Sequence, residues 1–173
     1  QKNLGPSGVT AVILSPWAVE RSKYVNTTRS GGLPSMLNYA LMVEKNSMFN
    51  TPNTFGIFAL DRMLAWLERQ GGVSAIHTQN TAKAKRIYDL LDGSEFWQPH
   101  AKIDSRSIMN ITWKIKNADL ESVFLQESDA AGLKGLKGHR SVGGLRASIY
   151  NACSPDSVEA LAEFMQNFEL RYG

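Results

Sequence analysis

The sequence predicts an α/β fold in two parts, and three observations predict it. Residues 9–14 form a run of β-branched and aliphatic side chains that reads as a short buried strand. Two long stretches between residues 55 and 91 space apolar residues three and four apart, the period of a helix with one face in a core. From Ser107 onward, strand-like and helix-like segments alternate, as in a small domain whose helices pack on a sheet.

Each element has a local cause. Gly5-Pro6-Ser7-Gly8 is a turn cluster leading into the strand at 9–14. Residues 20–34 are polar and glycine-containing and read as a loop. Pro34 and Ser35 open a short helix predicted to reach Met42. Residues 47–54 make a second turn, and Thr54 is the candidate N-cap of a helix over 55–70. Ile57, Leu60, Leu64 and Leu67 share one face of that helix, and Gly71-Gly72 ends it. A further helix is predicted over 74–91, mixing Ile76, Ala82, Ile87, Leu90 and Leu91 with Lys83, Lys85 and Arg86.

After Gly93 the pattern changes. Residues 107–115 read as a strand with Ile108, Ile111, Trp113 and Ile115 apolar, and 120–131 as a helix. A glycine-broken stretch over 132–144 leads to another strand at 145–150. The last helix carries the strongest local signals. Ser154 is an N-cap, Pro155 takes the first helical position and Asp156 complements the macrodipole. Val158, Leu161, Met165 and Phe168 form its apolar stripe. The connection between the two parts falls between about Gln70 and Gly93.

Composition bounds the function. At 173 residues, 43% hydrophobic and 20% charged, the chain can bury a core without staples. The net charge of +3 is spread along the sequence. It suits small anionic ligands, but no basic block with interleaved aromatics marks a nucleic-acid surface. The single cysteine, Cys153, excludes an intrachain disulfide framework and fits a reducing compartment. No apolar run is long enough to span a membrane, and no secretory leader opens the sequence, which together point to a cytoplasmic protein. His77, His100 and His139 lack metal-ligand spacing, so no metal site is expected. Met36, Met42, Met63 and Met165 read as core filler.

A few residues could carry chemistry. Lys2 precedes a glycine-rich turn, where a lysine can form a Schiff base with a carbonyl cofactor or simply be a solvated surface residue. In the strand at 145–150, Leu145, Ala147 and Ile149 share one face and Arg146, Ser148 and Tyr150 the other. A guanidinium amid apolar residues needs an acidic partner, either a structural carboxylate or a ligand carboxylate held by two parallel bonds. Gly138-His139-Arg140-Ser141-Val142-Gly143-Gly144 sets an imidazole and a guanidinium between glycines, as a phosphate-binding loop or a solvated basic turn. Asn50 and Thr51, before Pro52, either bind an anion or make the turn ahead of the helix.

Three stretches, in order, carry a resemblance. Gln1-Lys-Asn-Leu-Gly-Pro-Ser-Gly-Val-Thr10, Ser47-Met-Phe-Asn-Thr-Pro52 and Leu136-Lys-Gly-His-Arg-Ser-Val-Gly-Gly-Leu-Arg-Ala-Ser-Ile-Tyr-Asn-Ala152 resemble the phosphoserine aminotransferase family. That family belongs to the class-V, fold-type I pyridoxal-phosphate aminotransferases, and the resemblance runs from Gln1 to Gly173. It implies that residues 1–72 are the C-terminal part of a large cofactor-binding domain with its connecting helix, and 73–173 a small C-terminal α/β domain. It implies pyridoxal 5'-phosphate as cofactor and a homodimer whose cofactor site is shared across the interface. The implied reaction is transamination between glutamate/2-oxoglutarate and O-phosphoserine/3-phosphohydroxypyruvate in serine biosynthesis, with phosphohydroxythreonine of pyridoxine biosynthesis as a further substrate.

The resemblance also assigns residues. Lys2 matches the residue that forms the Schiff base and acts as catalytic base, and Gln1 a cofactor-phosphate contact. Asn50 and Thr51 match residues that reach across the dimer to the phosphate of the partner subunit's cofactor. Arg146 matches the clamp for the substrate α-carboxylate, and His139 with Arg140 the group that holds the substrate phosphate. The first half of the large domain would lie outside these 173 residues, so the chain alone is expected to be inactive. Two alternatives remain open on the sequence: a class-V aminotransferase with another substrate, and a non-catalytic anion-binding fragment.

Overall fold

The computed structural model describes all residues from Gln1 to Gly173. It divides into two compact units, Gln1–Ala65 and Trp66–Gly173.

The first unit is helical. It contains α1 (Pro16–Thr28), α2 (Tyr39–Glu44) after a 3-10 turn at Ser35–Leu37, and the start of α3 (Thr54–Arg69). Helix α1 overturns the loop expected over 20–34 as far as Thr28, and 29–34 remain a loop. The Ser15 hydroxyl accepts from the Ala18 N–H at 3.2 Å and Pro16 takes the first helical position, a start signal that the polar composition of the following residues obscured. Buried hydrogen bonds join α1 to α2. The Ser22 hydroxyl donates to Asn38 Oδ1 at 3.4 Å and accepts from the Ala40 N–H at 3.2 Å, while Asn38 Oδ1 caps α2 by accepting from Leu41 N at 3.1 Å.

The strand expected over 9–14 does not form. A strand requires a partner to satisfy its N–H and C=O groups, and this unit contains no second strand. The segment keeps its apolar character nonetheless, and Ile13 is 99% exposed. Helix α3 is capped by Asn53 rather than Thr54, since Asn53 Oδ1 accepts from the Gly56 N–H at 3.0 Å. Asn53 Nδ2 also donates to the Gly8 carbonyl at 3.4 Å, tying the first turn to the start of α3. Gly56 is buried, and a Cβ there would come within 2.6 Å of Val9 Cγ2, so a side chain at this position would displace the 9–14 segment. Met36, expected in the core, is exposed.

The second unit is α/β. Its order is α4 (Gly72–Asp92), β1 (Trp97–Pro99), a 3-10 turn at Ile103–Ser105, β2 (Asn110–Ile115), α5 (Leu120–Ala130), β3 (Leu145–Ser148) and α6 (Pro155–Tyr172). The strands form an antiparallel sheet in the order β1-β2-β3. Strand β1 was not legible, because three residues ending in proline show no alternation. Strand β2 begins at Asn110 rather than Ser107, whose hydroxyl accepts from the Met109 and Asn110 N–H groups and makes a turn. Strand β3 stops at Ser148, short of the expected Tyr150.

Register gives the sheet two faces. Trp97 pairs with Ile115, Trp113 with Leu145 and Ile111 with Ala147, and all six are buried. These side chains meet Ala84, Ile87 and Leu91 of α4, Phe124 of α5, and Val158, Leu161, Met165 and Phe168 of α6 in one core. The α6 stripe is the one the sequence predicts. Phe124 is central: its ring meets Phe168 at 5.1 Å and Phe164 at 5.2 Å, both edge-on. Ion pairs between Arg86 and Glu159 and between Arg171 and Glu127 bridge helices at the surface, where they add little beside such burial. On the opposite face of the sheet, Thr112 stands across from Arg146 and Asn110 across from Ser148.

Candidate active site

In the second unit the candidate residues follow one another on a turn and the strand it feeds. The Gly138 N–H donates to the Gly144 carbonyl at 2.8 Å, and the His139 carbonyl accepts from the Val142 and Gly143 N–H groups at 2.9 and 2.8 Å. The loop is too tight for side chains at its base. A Cβ on Gly138 would fall 2.0 Å from the Gly143 carbonyl oxygen, and Gly144 has φ +66 with the Trp113 carbonyl oxygen 2.7 Å from its Cβ position. The glycines therefore close a narrow loop that presents His139, Arg140 and Ser141 to solvent.

The imidazole is oriented by its neighbour. His139 Nδ1 accepts from the Ser141 N–H at 3.3 Å and lies 2.7 Å from the Ser141 hydroxyl. With Nδ1 as acceptor, the proton sits on Nε2, which is left free to donate to an anion. Ser141 was not singled out from the sequence. Its position two residues after a loop histidine was the available signal.

Arg146 lies on the polar face of β3, as alternation predicts, and is half-buried. Its backbone N–H donates to the Leu136 carbonyl at 2.7 Å, so the chain before the glycine loop runs along the free edge of β3. The side chain has no structural carboxylate partner. Nε is buried without an acceptor, which leaves the two terminal nitrogens as the groups open to a partner. Of the two partners the sequence left open, the structure contains no protein one.

The other candidates lie in the first unit. Lys2 has φ +77, a left-handed conformation rare for a residue with a Cβ, in a turn closed by a bridge between Lys2 and Gly5. Its side chain is exposed and enters no ion pair. Gln1 lines a cavity of about 90 Å³ with Leu4, Val9 and Leu60. Asn50 and Thr51 are exposed in the segment between α2 and α3, three and two residues before the Asn53 cap that holds Gly8. The bond from Asn53 to Gly8 thus ties the turn that follows the Lys2 loop to the start of α3.

Sequence reading also passed over Lys83, which is buried on α4 together with Asn80. The positions Ile76, Asn80, Lys83, Ile87 and Leu91 repeat every three to four residues, so helical period alone assigns them one face. Polarity disguised two of its members.

Comparison with known proteins identifies the family. The family model described as aminotransferase class-V matches residues 1–161. The chain is 50% identical over 173 residues to a phosphoserine aminotransferase of Shouchella clausii, covering 99% of this chain and 46% of that protein. A solved phosphoserine aminotransferase, studied for radiation damage of its Schiff base, superposes with a TM-score of 0.87 at 45% identity, over 98% of this chain and 45% of that one. The pyridoxal-phosphate-bound phosphoserine aminotransferase of Trichomonas vaginalis gives a TM-score of 0.72 at 36% identity, over 78% of this chain and 39% of that one. The chain thus spans about half the length of the curated relatives it matches. With the model match extending through the turn and strand that carry His139, Arg140 and Arg146, the chain belongs to the class-V aminotransferase family.

Proposed function

We propose that this chain supplies the C-terminal half of a pyridoxal-phosphate-dependent phosphoserine aminotransferase. The single observation that carries the reading is Arg146, a half-buried guanidinium with no protein carboxylate partner, on the strand fed directly by the His139-Arg140 turn. Such a group calls for a carboxylate, and every amino-acid substrate of a transaminase brings one. The names of the relatives support the substrate class.

The residues present fit the cofactor. Lys2 offers an exposed amine with no ion-pair partner, held in a constrained turn. Gln1 adds a side-chain amide beside it, and Asn50 and Thr51 supply an amide and a hydroxyl suited to a phosphate. In the proposed homodimer that phosphate belongs to the partner subunit's cofactor. When bound, pyridoxal 5'-phosphate supplies an electron sink for charge developing at the substrate Cα.

The chain's own residues then divide the remaining work. Arg146 grips the α-carboxylate, which glutamate and O-phosphoserine share, so one clamp serves both half-reactions. His139, through Nε2–H, and Arg140 hold the distal anion, phosphate in one half-reaction and carboxylate in the other. Each charge-assisted bond contributes about 1.5–3 kcal/mol. Lys2 acts as general base and moves the proton at the substrate Cα. In this reading residues 1–72 complete a large cofactor-binding domain, and residues 73–173 form the small domain. Apolar side chains left open in the first unit, Ile13 and Trp17 among them, are covered by the remainder of the enzyme and its dimer. The complete enzyme is cytoplasmic and also takes phosphohydroxythreonine. The 173-residue chain alone is inactive.

The test is a substrate comparison with the chain joined to the N-terminal half of a relative. Transamination of 3-phosphohydroxypyruvate should exceed that of pyruvate, which carries no distal anion, and a paired His139→Ala, Arg140→Ala variant should lose that preference. A preference for unphosphorylated keto acids would assign the chain to another class-V aminotransferase. No turnover of either, with cofactor bound, would leave only anion binding.

A further inference from the structure

Lys83 is 3% exposed and is the one charged residue in the buried set. A buried ammonium is costly unless each of its protons is bonded. Here all three are, because Nζ donates to the carbonyls of Ile149 at 3.2 Å, Tyr150 at 2.9 Å and Cys153 at 2.9 Å. Burial holds its pKa below the ordinary lysine value, with the nearby Cys153 acting in the opposite sense. A methionine of similar volume would fill this place without that penalty, so the gain from a lysine lies in what it holds.

What it holds is the segment between β3 and α6. One turn earlier on the same face of α4, the buried Asn80 donates through Nδ2 to Asn151 Oδ1 at 2.8 Å. Strand β3 has only four residues and ends one residue before Ile149, whose N–H donates to the Met109 carbonyl at 3.0 Å. Arg146 sits three residues before the first carbonyl that Lys83 binds. In so short a strand, a one-residue slip would turn Arg146 into the core and Ala147 outward.

We infer that Lys83, supported by Asn80, is a positioning residue for Arg146, fixing the carbonyls at the end of β3 and with them the face and height of the guanidinium. The inference rests on Arg146 being the α-carboxylate clamp.

The test is a double-mutant cycle in the full-length, pyridoxal-phosphate-loaded enzyme. The Kd of glutarate, a dicarboxylate with no reacting group, is measured by calorimetry, alongside KM and kcat for glutamate. Lys83→Met should raise Kd and KM about tenfold with little change in kcat, and should add nothing in an Arg146→Ala background. If Arg146→Ala itself leaves glutarate binding unchanged, the clamp reading fails and the inference with it. If Arg146→Ala weakens binding but Lys83→Met does not, or if the two effects add in full, Lys83 is structural only and the inference is overturned. Should Lys83→Met fail to fold, Asn80→Ala takes its place in the cycle. A weakening of about threefold that vanishes without Arg146 supports the inference, and an unchanged Kd overturns it.

Discussion

Arg146 and Thr112 face each other across β3 and β2 on the polar side of the sheet, while their neighbours Ala147 and Ile111 are packed in the core directly behind. The guanidinium is therefore mounted on a rigid surface rather than on a mobile loop. No protein carboxylate pairs with it, and only Nε is closed off, so the two terminal nitrogens are open to a ligand.

Replacing Arg146 by lysine keeps the charge and removes the fork. Two parallel bonds become one, and a loss of about 1.5–3 kcal/mol in transition-state binding follows, roughly 10- to 150-fold in kcat/KM. Steady-state kinetics of the full-length Arg146→Lys enzyme check this. Wild-type-like values would remove Arg146 from the clamp role.

Ser141→Ala should act on phosphorylated substrates selectively. It removes the hydroxyl 2.7 Å from His139 Nδ1 but leaves the backbone N–H, so the ring keeps one of its two restraints. The expected loss is about 1 kcal/mol, roughly fivefold in kcat/KM for 3-phosphohydroxypyruvate. Pyruvate, which has no distal anion for His139 to hold, should change less when measured in parallel.

The second unit should be sensitive to Phe124. This ring is fully buried among Trp97, Trp113, Phe164 and Phe168. Phe124→Ala should destabilise by about 3–5 kcal/mol, read from the shift in denaturant midpoint. A shift within about 1 kcal/mol would mean that the aromatic cluster is not the centre of the core.

Acid should weaken the same unit through its ion pairs. Hydrogen bonding to Arg106 holds the Asp92 carboxyl below its ordinary pKa, and hydrogen bonding to Arg86 does the same for Glu159. Hydrogen bonds from Tyr172 and Arg171 lower Glu127. For a depressed carboxyl, the unfolded chain binds more protons in the window between the two pKa values. The stabilisation is thus complete above the unfolded values near 4 and is lost as pH falls through the folded ones. Asp92→Asn should flatten the decline of stability below about pH 4. An unchanged acid limb would show that this pair contributes nothing.

The sequence showed the second unit more plainly than the first. The stripe on α6, the cap at Ser154 and the alternation around Arg146 are local patterns, and each survives folding unchanged. Residues 9–14 carry the composition of a strand, but a strand depends on a partner and their unit contains no other strand. Helix α1 was concealed for the opposite reason, because polar residues followed a good Ser15-Pro16 start. The same effect concealed Lys83, whose position in the helical period was clear but whose charge argued against burial. Candidate ligand contacts were visible as residue types. The restraint on His139 by Ser141 and the absence of a carboxylate for Arg146 required coordinates.

In the proposed enzyme the amine of Lys2 carries the cofactor. The direct measurement is borohydride reduction of the full-length enzyme with pyridoxal phosphate bound, followed by mass mapping of its peptides. One pyridoxyl adduct, on Lys2, is expected. An adduct on another lysine, or none while the cofactor is demonstrably bound, would contradict this assignment.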